Sequence, residues 1–187
     1  LVGLMTIGLS TYLILYSHPL YNLLSRWLKI FERAIPRREI SAEGVQTTRA
    51  LDVILFGLGR YGSNLAHNLR ERGLQVLGVD FNAATVAAWQ KQGFEALYGD
   101  AEDPEYPGTL PLGQARWVVS TVPERDVNLA LLDSLSHYGF SGQRAVTAHN
   151  PVDAEMLKDS GADLILLPFA AAAKDAAEVL TLAGPSP

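Results

Sequence analysis

Gly57, Gly59 and Gly62 stand in the spacing G-x-G-x-x-G, and Asp80 follows close to the roughly 20-residue offset at which a ribose-binding acid is met. Glycines so spaced bring main chain up against a diphosphate. Gly57 permits a tight turn, Gly59 lets the backbone approach phosphate, and Gly62 lets a helix pack closely on a strand. Free N–H groups at the helix start then face the phosphates, assisted by the helix dipole. A carboxylate at position 80 accepts hydrogen bonds from a ribose diol and repels a 2′-phosphate, which favours NAD or another adenosine nucleotide over NADP. The alternative is a glycine turn and a helix-capping acid with no ligand.

Two more segments carry polar groups to the same place. "YGDAED" supplies Asp100 and Ala101, and "STVPE" supplies Ser120, Thr121 and Val122. Asp100 is placed to meet adenine or ribose, or to form a turn after a glycine. Arg60 and Arg125 are candidate phosphate partners, since a guanidinium forks onto phosphate oxygens; solvated surface positions are the alternative for both.

The elements that must position these residues begin at Leu51. "LDVILF", "LQVLGV", "FEALY", "ARWVVST", "RAVTA" and "ADLILL" read as six short buried strands. Helices are expected over 59–72, 83–92, 126–138, 152–159 and 169–182, and a proline-bearing loop with at most a short helix joins the third and fourth strands. Short apolar runs alternating with helices predict an α/β fold: a Rossmann-like, doubly wound, parallel six-stranded sheet covered on both faces. Right-handed crossovers give the strand order 3-2-1-4-5-6. Ligands bind outside the carboxyl ends of such strands, where the order reverses. Strands one and four flank that point, so Thr121 is expected opposite the glycine turn.

Hydride transfer needs a substrate pocket and a group that moves a proton. The sheet accounts for nearly everything from Leu51 onward and leaves no substrate domain. No Tyr and Lys stand four apart, and the histidines at 18, 67, 137 and 149 are scattered without metal-ligand spacing. His149, after the fifth strand, is the one histidine expected near the binding edge, and a structural role there is favoured over a catalytic one. The chain has no cysteine, which excludes disulfides, thiolate metal sites and a cysteine nucleophile. An enzyme is therefore the weaker expectation, with no catalytic residue and no metal site assigned. An NAD-dependent oxidoreductase is kept as the alternative.

The 187 residues support one ordinary domain plus an extension. A hydrophobic content of 48% with 19% charged residues describes a globular protein. The net charge of −5 offers nucleic acid no general attraction. Residues 1–25 contain no Asp, Glu, Lys or Arg, and "LVGLMTIGLSTYLILY" is almost wholly apolar. A bilayer span needs about 20 such residues, so residues 1–18 are expected to be the end of a transmembrane helix. Arg26, Lys29, Arg33, Arg37 and Arg38 then mark the cytoplasmic side, while Tyr12, Tyr16, Tyr21 and Trp27 suit an interface. A signal peptide would carry its basic residues before the apolar run; a buried core helix is the other reading. "PLYNLLSRWLKIFERAI" spaces its apolar residues by three and four, an amphipathic helix. The expected domains are thus 1–18, an amphipathic helix and linker at 19–48, the nucleotide-binding domain at 49–182, and a tail at 183–187.

"TIGLSTYLILYSHPLYNLLSRWLKIFER" followed by "VILFGLGRYG", "LGVDFN", "YGDAED" and "GADLILLPF" resembles monovalent cation:proton antiporters, including Kef-type potassium-efflux systems. In these the last transmembrane helix leads into a cytoplasmic Trk/RCK-type nucleotide-binding domain. The resemblance implies a regulatory domain, paired as a homodimer, that binds NAD(H), AMP or ATP and gates ion flux through its own membrane transport domain. It implies an inner-membrane, multi-pass protein with this domain cytoplasmic, and no metal. Its motif places Gly57, Leu58, Gly59, Arg60, Tyr61 and Gly62 at the phosphates and Asp80 and Phe81 at the ribose. Asp100 and Ala101 fall near adenine, and Thr121 and Val122 at the switch point. The regulatory domain of a potassium channel or Trk-type uptake system shares these features and is a further alternative. The proline-rich segment after the third strand departs from Kef-type domains, which carry a helix there.

Overall fold

The computed structural model describes Gly3, Met5, Thr6 and residues 51–182. The chain divides into two compact units, Leu1–Ile40 and Ser41–Pro187. In the first, Gly3, Met5 and Thr6 are helical, and the Thr6 hydroxyl donates to the Gly3 carbonyl at 3.1 Å. The expected span, the amphipathic helix and linker, and the tail lie outside the described residues, apart from those three. Among the described residues no helix is long and apolar enough to cross a membrane.

The second unit contains six strands: β1 (Val53–Phe56), β2 (Val76–Asp80), β3 (Glu95–Tyr98), β4 (Trp117–Ser120), β5 (Gln143–Thr147) and β6 (Leu164–Leu166). Five helices follow in turn: α1 (Arg60–Glu71), α2 (Ala83–Lys91), α3 (Arg125–His137), α4 (Pro151–Asp159) and α5 (Pro168–Leu182). All strand pairs are parallel, in the order β3-β2-β1-β4-β5-β6. The expected fold and strand order are what the chain adopts, with helix ends moved by a residue or two.

Period-two alternation decides which core each strand residue joins. Val53, Leu55 and Val119 pack with Ala66 of α1 and with Val86 and Trp89 of α2. Ile54, Phe56, Leu77, Val79 and Val118 pack on the other face with Leu131 and Leu135 of α3. Helices thus cover both faces, and every residue of β1 is buried. A third cluster joins Leu132, Val146, Ala148 and Leu157 beneath α4.

Between β3 and β4 the chain makes two short 3-10 turns, Tyr106–Thr109 and Leu112–Gln114, in place of a full helix. Pro107 and Pro111 deny backbone donors to a longer one. Tyr106 fastens this segment to the sheet. Its ring meets Phe56 edge-on, and its hydroxyl donates to the Tyr98 carbonyl at 3.1 Å. A Cβ at Gly99 would fall 1.9 Å from the Tyr106 ring, so only glycine passes beneath it.

Candidate functional site

The carboxyl ends of β1, β2 and β4 meet at one crevice, and the glycine turn forms its floor. Gly57 has φ +85°, a conformation that side chains disfavour. Gly62 lies so close to the turn that a Cβ there would stand 1.9 Å from the Gly57 carbonyl oxygen. Gly59 differs from both: its φ is −66°, and a Cβ there would meet nothing within 4 Å. Nothing in the fold itself requires glycine at 59.

The turn is held from every inward side. The Gly57 amide donates to Val79 O at 2.9 Å, and the Leu58 amide donates to Asp80 Oδ2 at 2.7 Å. Thr121 Oγ1 donates to Gly57 O at 2.7 Å, which puts Thr121 opposite the turn as expected. Ser63 Oγ donates to Leu58 O at 2.8 Å while accepting from Trp89 Nε1 at 3.2 Å. The amides that remain are those of Gly59, Arg60, Tyr61 and Gly62, none of which donates to another described residue, and Gly59 gives α1 no side-chain cap. By contrast Asn82 caps α2, accepting from the amides of Ala84 and Thr85, and Asn150 caps α4. Main-chain N–H groups that donate to no described residue, at the positive end of a 12-residue helix, suit an anion.

Asp80 is buried, and both of its oxygens hold main chain: Oδ2 the Leu58 amide and Oδ1 the Asn82 amide, each at 2.7 Å. This removes the alternative of a helix-capping acid. The carboxylate does not cap the following helix, which Asn82 does; it clamps the glycine turn to the end of β2. A carboxylate offers about four lone-pair directions, so two remain for hydroxyls.

The other expected residues fall around this floor. Phe81 and Tyr98 stand exposed on the β2–β3 side, 72% and 60% accessible, with Tyr98 in register beside Asp80. Asp100 is exposed, and its Oδ1 accepts from the Glu102 amide at 2.9 Å, the turn-forming role that was its alternative. Ala101 and Val122 are half-buried against the core. Arg60 is exposed and makes no ion pair with a described residue. Partial burial raises the Tyr61 pKa, so its hydroxyl stays neutral near pH 7.

Arg125, which opens α3 after the carboxyl end of β4, is paired with acids. Its guanidinium contacts Asp126 Oδ1 at 2.8 Å and Asp153 Oδ1 at 3.4 Å, and the Asp126 hydrogen bond raises its pKa further. Of the histidines, His67 meets Phe94 edge-on and His149 lies against Phe169 with ring centroids 5.6 Å apart. Among the described residues no group of three His, Cys, Asp or Glu is placed to hold a metal ion. A groove of about 390 Å³ lined by His67, Arg70, Glu71, Gln92 and Phe94 opens at the far ends of α1 and α2, away from the crevice. Its Arg70 is already stacked over Phe94 at 4.5 Å.

Sequence reasoning missed Ser63, Trp89 and the structural role of Asn128. Ser63 and Trp89 lock the turn as described. Asn128 is fully buried, and its Nδ2 donates to the carbonyls of Val122 and Thr147, both at 3.0 Å. An asparagine among the apolar residues of α3 was the available signal, because buried amides need partners.

No curated protein sequence matches the chain significantly. Among solved structures, the TrkA-N domain of the Escherichia coli inner membrane protein ybaL is 20% identical with a TM-score of 0.64, covering 71% of this chain and 98% of that one. The AMP-bound Kef C-terminal domain of Shewanella denitrificans is 20% identical with a TM-score of 0.60, over 72% of this chain and 82% of that one. The NAD-bound GsuK channel is 19% identical with a TM-score of 0.60; 88% of this chain matches, but only 29% of the channel's. At these identities the likeness speaks for the fold alone. The TrkA-N domain model matches residues 53–168, from the start of β1 to the start of α5. This match spans well over half of the chain's length, and the chain belongs to the TrkA-N domain family.

Proposed function

We propose that this chain is a regulatory nucleotide-binding domain of a monovalent cation:proton antiporter, gating ion flux when NAD(H) or an adenine nucleotide binds. The observation that carries the reading is the pairing of four uncommitted amides at Gly59–Gly62 with open space above Gly59. Gly57, Leu58, Gly59, Arg60, Tyr61 and Gly62 would hold the phosphates. Asp80 and Phe81 would meet the ribose, Asp100 and Ala101 the adenine side, and Thr121 and Val122 the switch point. Asp80, already accepting two amides, has oxygen lone pairs left for a ribose diol and none of the positive charge a 2′-phosphate needs. The likeness in fold to domains of an inner membrane protein and of a channel supports a place at a membrane.

In this reading binding itself is the output. A ligand shifts a two-state arrangement only by its different affinity for the two states. The element offered for such an arrangement is α5, which buries none of its residues and exposes Phe169, Val179, Leu180 and Leu182. A homodimer that covers this face, joined to a transport domain in the inner membrane with the TrkA-N domain on the cytoplasmic side, completes the reading. The likeness to GsuK favours a second reading, in which the domain regulates a potassium channel.

The test is thermal unfolding of the full chain with NAD+, NADH, AMP, ATP and NADP+. A ligand at a hundred times its Kd adds about 2.7 kcal/mol, several degrees in Tm. Adenine nucleotides are expected to raise Tm and NADP+ to do so least. If none raises it, the reading fails.

A further inference from the structure

The peptide between Leu58 and Gly59 carries the first uncommitted amide of the turn, and its orientation is set from behind. A trans peptide is planar, so its carbonyl and its N–H point to opposite sides, and gripping one aims the other. The preceding peptide has both ends engaged. Its Gly57 carbonyl accepts from Thr121 Oγ1 at 2.7 Å on the β4 side, and its Leu58 amide donates to Asp80 Oδ2 at 2.7 Å on the β2 side. In the next peptide only the rear end is engaged. The Leu58 carbonyl accepts from Ser63 Oγ at 2.8 Å, while the Gly59 amide opposite donates to no described residue.

The backbone alone does not hold that plane. Turning it over changes ψ of Leu58 and φ of Gly59, and a glycine with open space beside it offers little resistance. A serine hydroxyl also rotates to suit its partners. Here Trp89 Nε1 donates to Ser63 Oγ at 3.2 Å, which commits the hydroxyl hydrogen to the Leu58 carbonyl. Trp89 in turn is fixed. It is 4% exposed, and its ring lies 4.7 Å from that of Phe94. A Cβ at Gly78 of β2 would stand 3.3 Å from Trp89 Cζ3 and 2.8 Å from Leu58 Cδ2, so glycine at 78 lets both side chains seat on the strand.

We infer that Trp89 and Ser63 are positioning residues for the phosphate site. Through the Leu58 carbonyl they keep the Gly59 N–H turned towards the ligand, so affinity depends on an indole N–H whose partner is a serine of α1. This deepens the nucleotide reading above and rests on it. With the relay cut, the peptide samples both orientations, and apparent affinity falls with the fraction of competent turns.

The test is calorimetric titration of the full chain with ADP in the parent, Trp89→Phe, Ser63→Ala and the double variant, with thermal unfolding and amide spectra of each. Trp89→Phe keeps a buried ring and deletes the donor. Each single variant is expected to bind ADP at least about threefold more weakly, the scale of one hydrogen bond. The double variant is expected to match Ser63→Ala within about twofold, because Trp89 acts through the serine. In the ligand-free protein both substitutions are expected to move the Gly59 amide resonance more than those of Tyr61 and Gly62, a selectivity that a general loss of packing does not give. A smaller loss of affinity in either single variant, a double variant more than about twofold weaker than Ser63→Ala, or a Gly59 amide that stays in place overturns the inference and leaves the nucleotide reading intact. If Ser63→Ala does not unfold cooperatively, Trp89→Phe decides by the same affinity and amide criteria. A parent that does not bind ADP overturns both.

Discussion

Gly59 and Gly62 belong to one motif, yet the structure assigns them opposite costs when a methyl group is added. At Gly62 the new Cβ would stand 1.9 Å from the Gly57 carbonyl oxygen, an atom held in place by the Thr121 hydroxyl at 2.7 Å. Neither partner can yield without moving α1 from β1. Overpacking of this kind costs about 1–3 kcal/mol, and meeting fixed backbone puts Gly62→Ala at the upper end. For a domain of this size about 3 kcal/mol lowers Tm by roughly 10 °C. At Gly59 the φ of −66° suits alanine and the space is empty. Loss of a glycine N-cap costs up to about 1 kcal/mol, which the smaller entropy of the unfolded chain offsets by about 0.4–1 kcal/mol. Gly59→Ala is therefore expected within roughly 3 °C of the parent Tm. Binding should separate the two in the other direction, because the Gly59 methyl would occupy the space that phosphate approaches. A loss of at least about tenfold in ADP affinity, roughly 1.4 kcal/mol, is expected for Gly59→Ala by calorimetry on a protein that still unfolds cooperatively. If Gly59→Ala binds ADP like the parent, the open space is not a phosphate site. If it unfolds as early as Gly62→Ala, the turn geometry is wrong.

Asp80→Asn replaces one acceptor with an NH2 group facing a backbone amide; a loss of about 2–4 kcal/mol in urea unfolding is expected, together with weaker nucleotide binding. Asn128→Ala strands the buried carbonyls of Val122 and Thr147, and about 2–4 kcal/mol should be lost with no change in nucleotide selectivity. Burial holds the Tyr106 phenol protonated up to about 12 against an ordinary 10.0. Its contribution to stability is therefore complete below about pH 10 and falls as pH rises towards about 12, because the unfolded chain sheds that proton first. Tyr106→Phe should flatten that alkaline decline in thermal unfolding; an unchanged slope would contradict it.

Much of the fold was legible because each central strand is a short apolar run with a turn signal behind it. β1, all four of its residues buried, is the clearest case. Handedness rules then left one strand order. Gly57 and Gly62 were legible for the same reason: positive φ and close packing are demands that glycine alone meets. Spacing does not tell which way a carboxylate points, so the grip of Asp80 on the amides of Leu58 and Asn82 has no signature in the sequence. Arg125 looked available until Asp153, 28 residues further on, was brought beside it by the β5 crossover. The crossing of Tyr106 over Gly99, and the approach of Phe169 to His149, are likewise tertiary facts with no local signature.

Amide chemical shifts of the 15N-labelled chain titrated with ADP test the central claim most directly, since they report the turn's own N–H groups. The account predicts that Gly59, Arg60, Tyr61 and Gly62 shift most, with Phe81 and Asp100 following and His149 and Asn150 unmoved. Saturating ADP that leaves those four amides in place, or shifts the groove around His67, Arg70 and Phe94 instead, would contradict it.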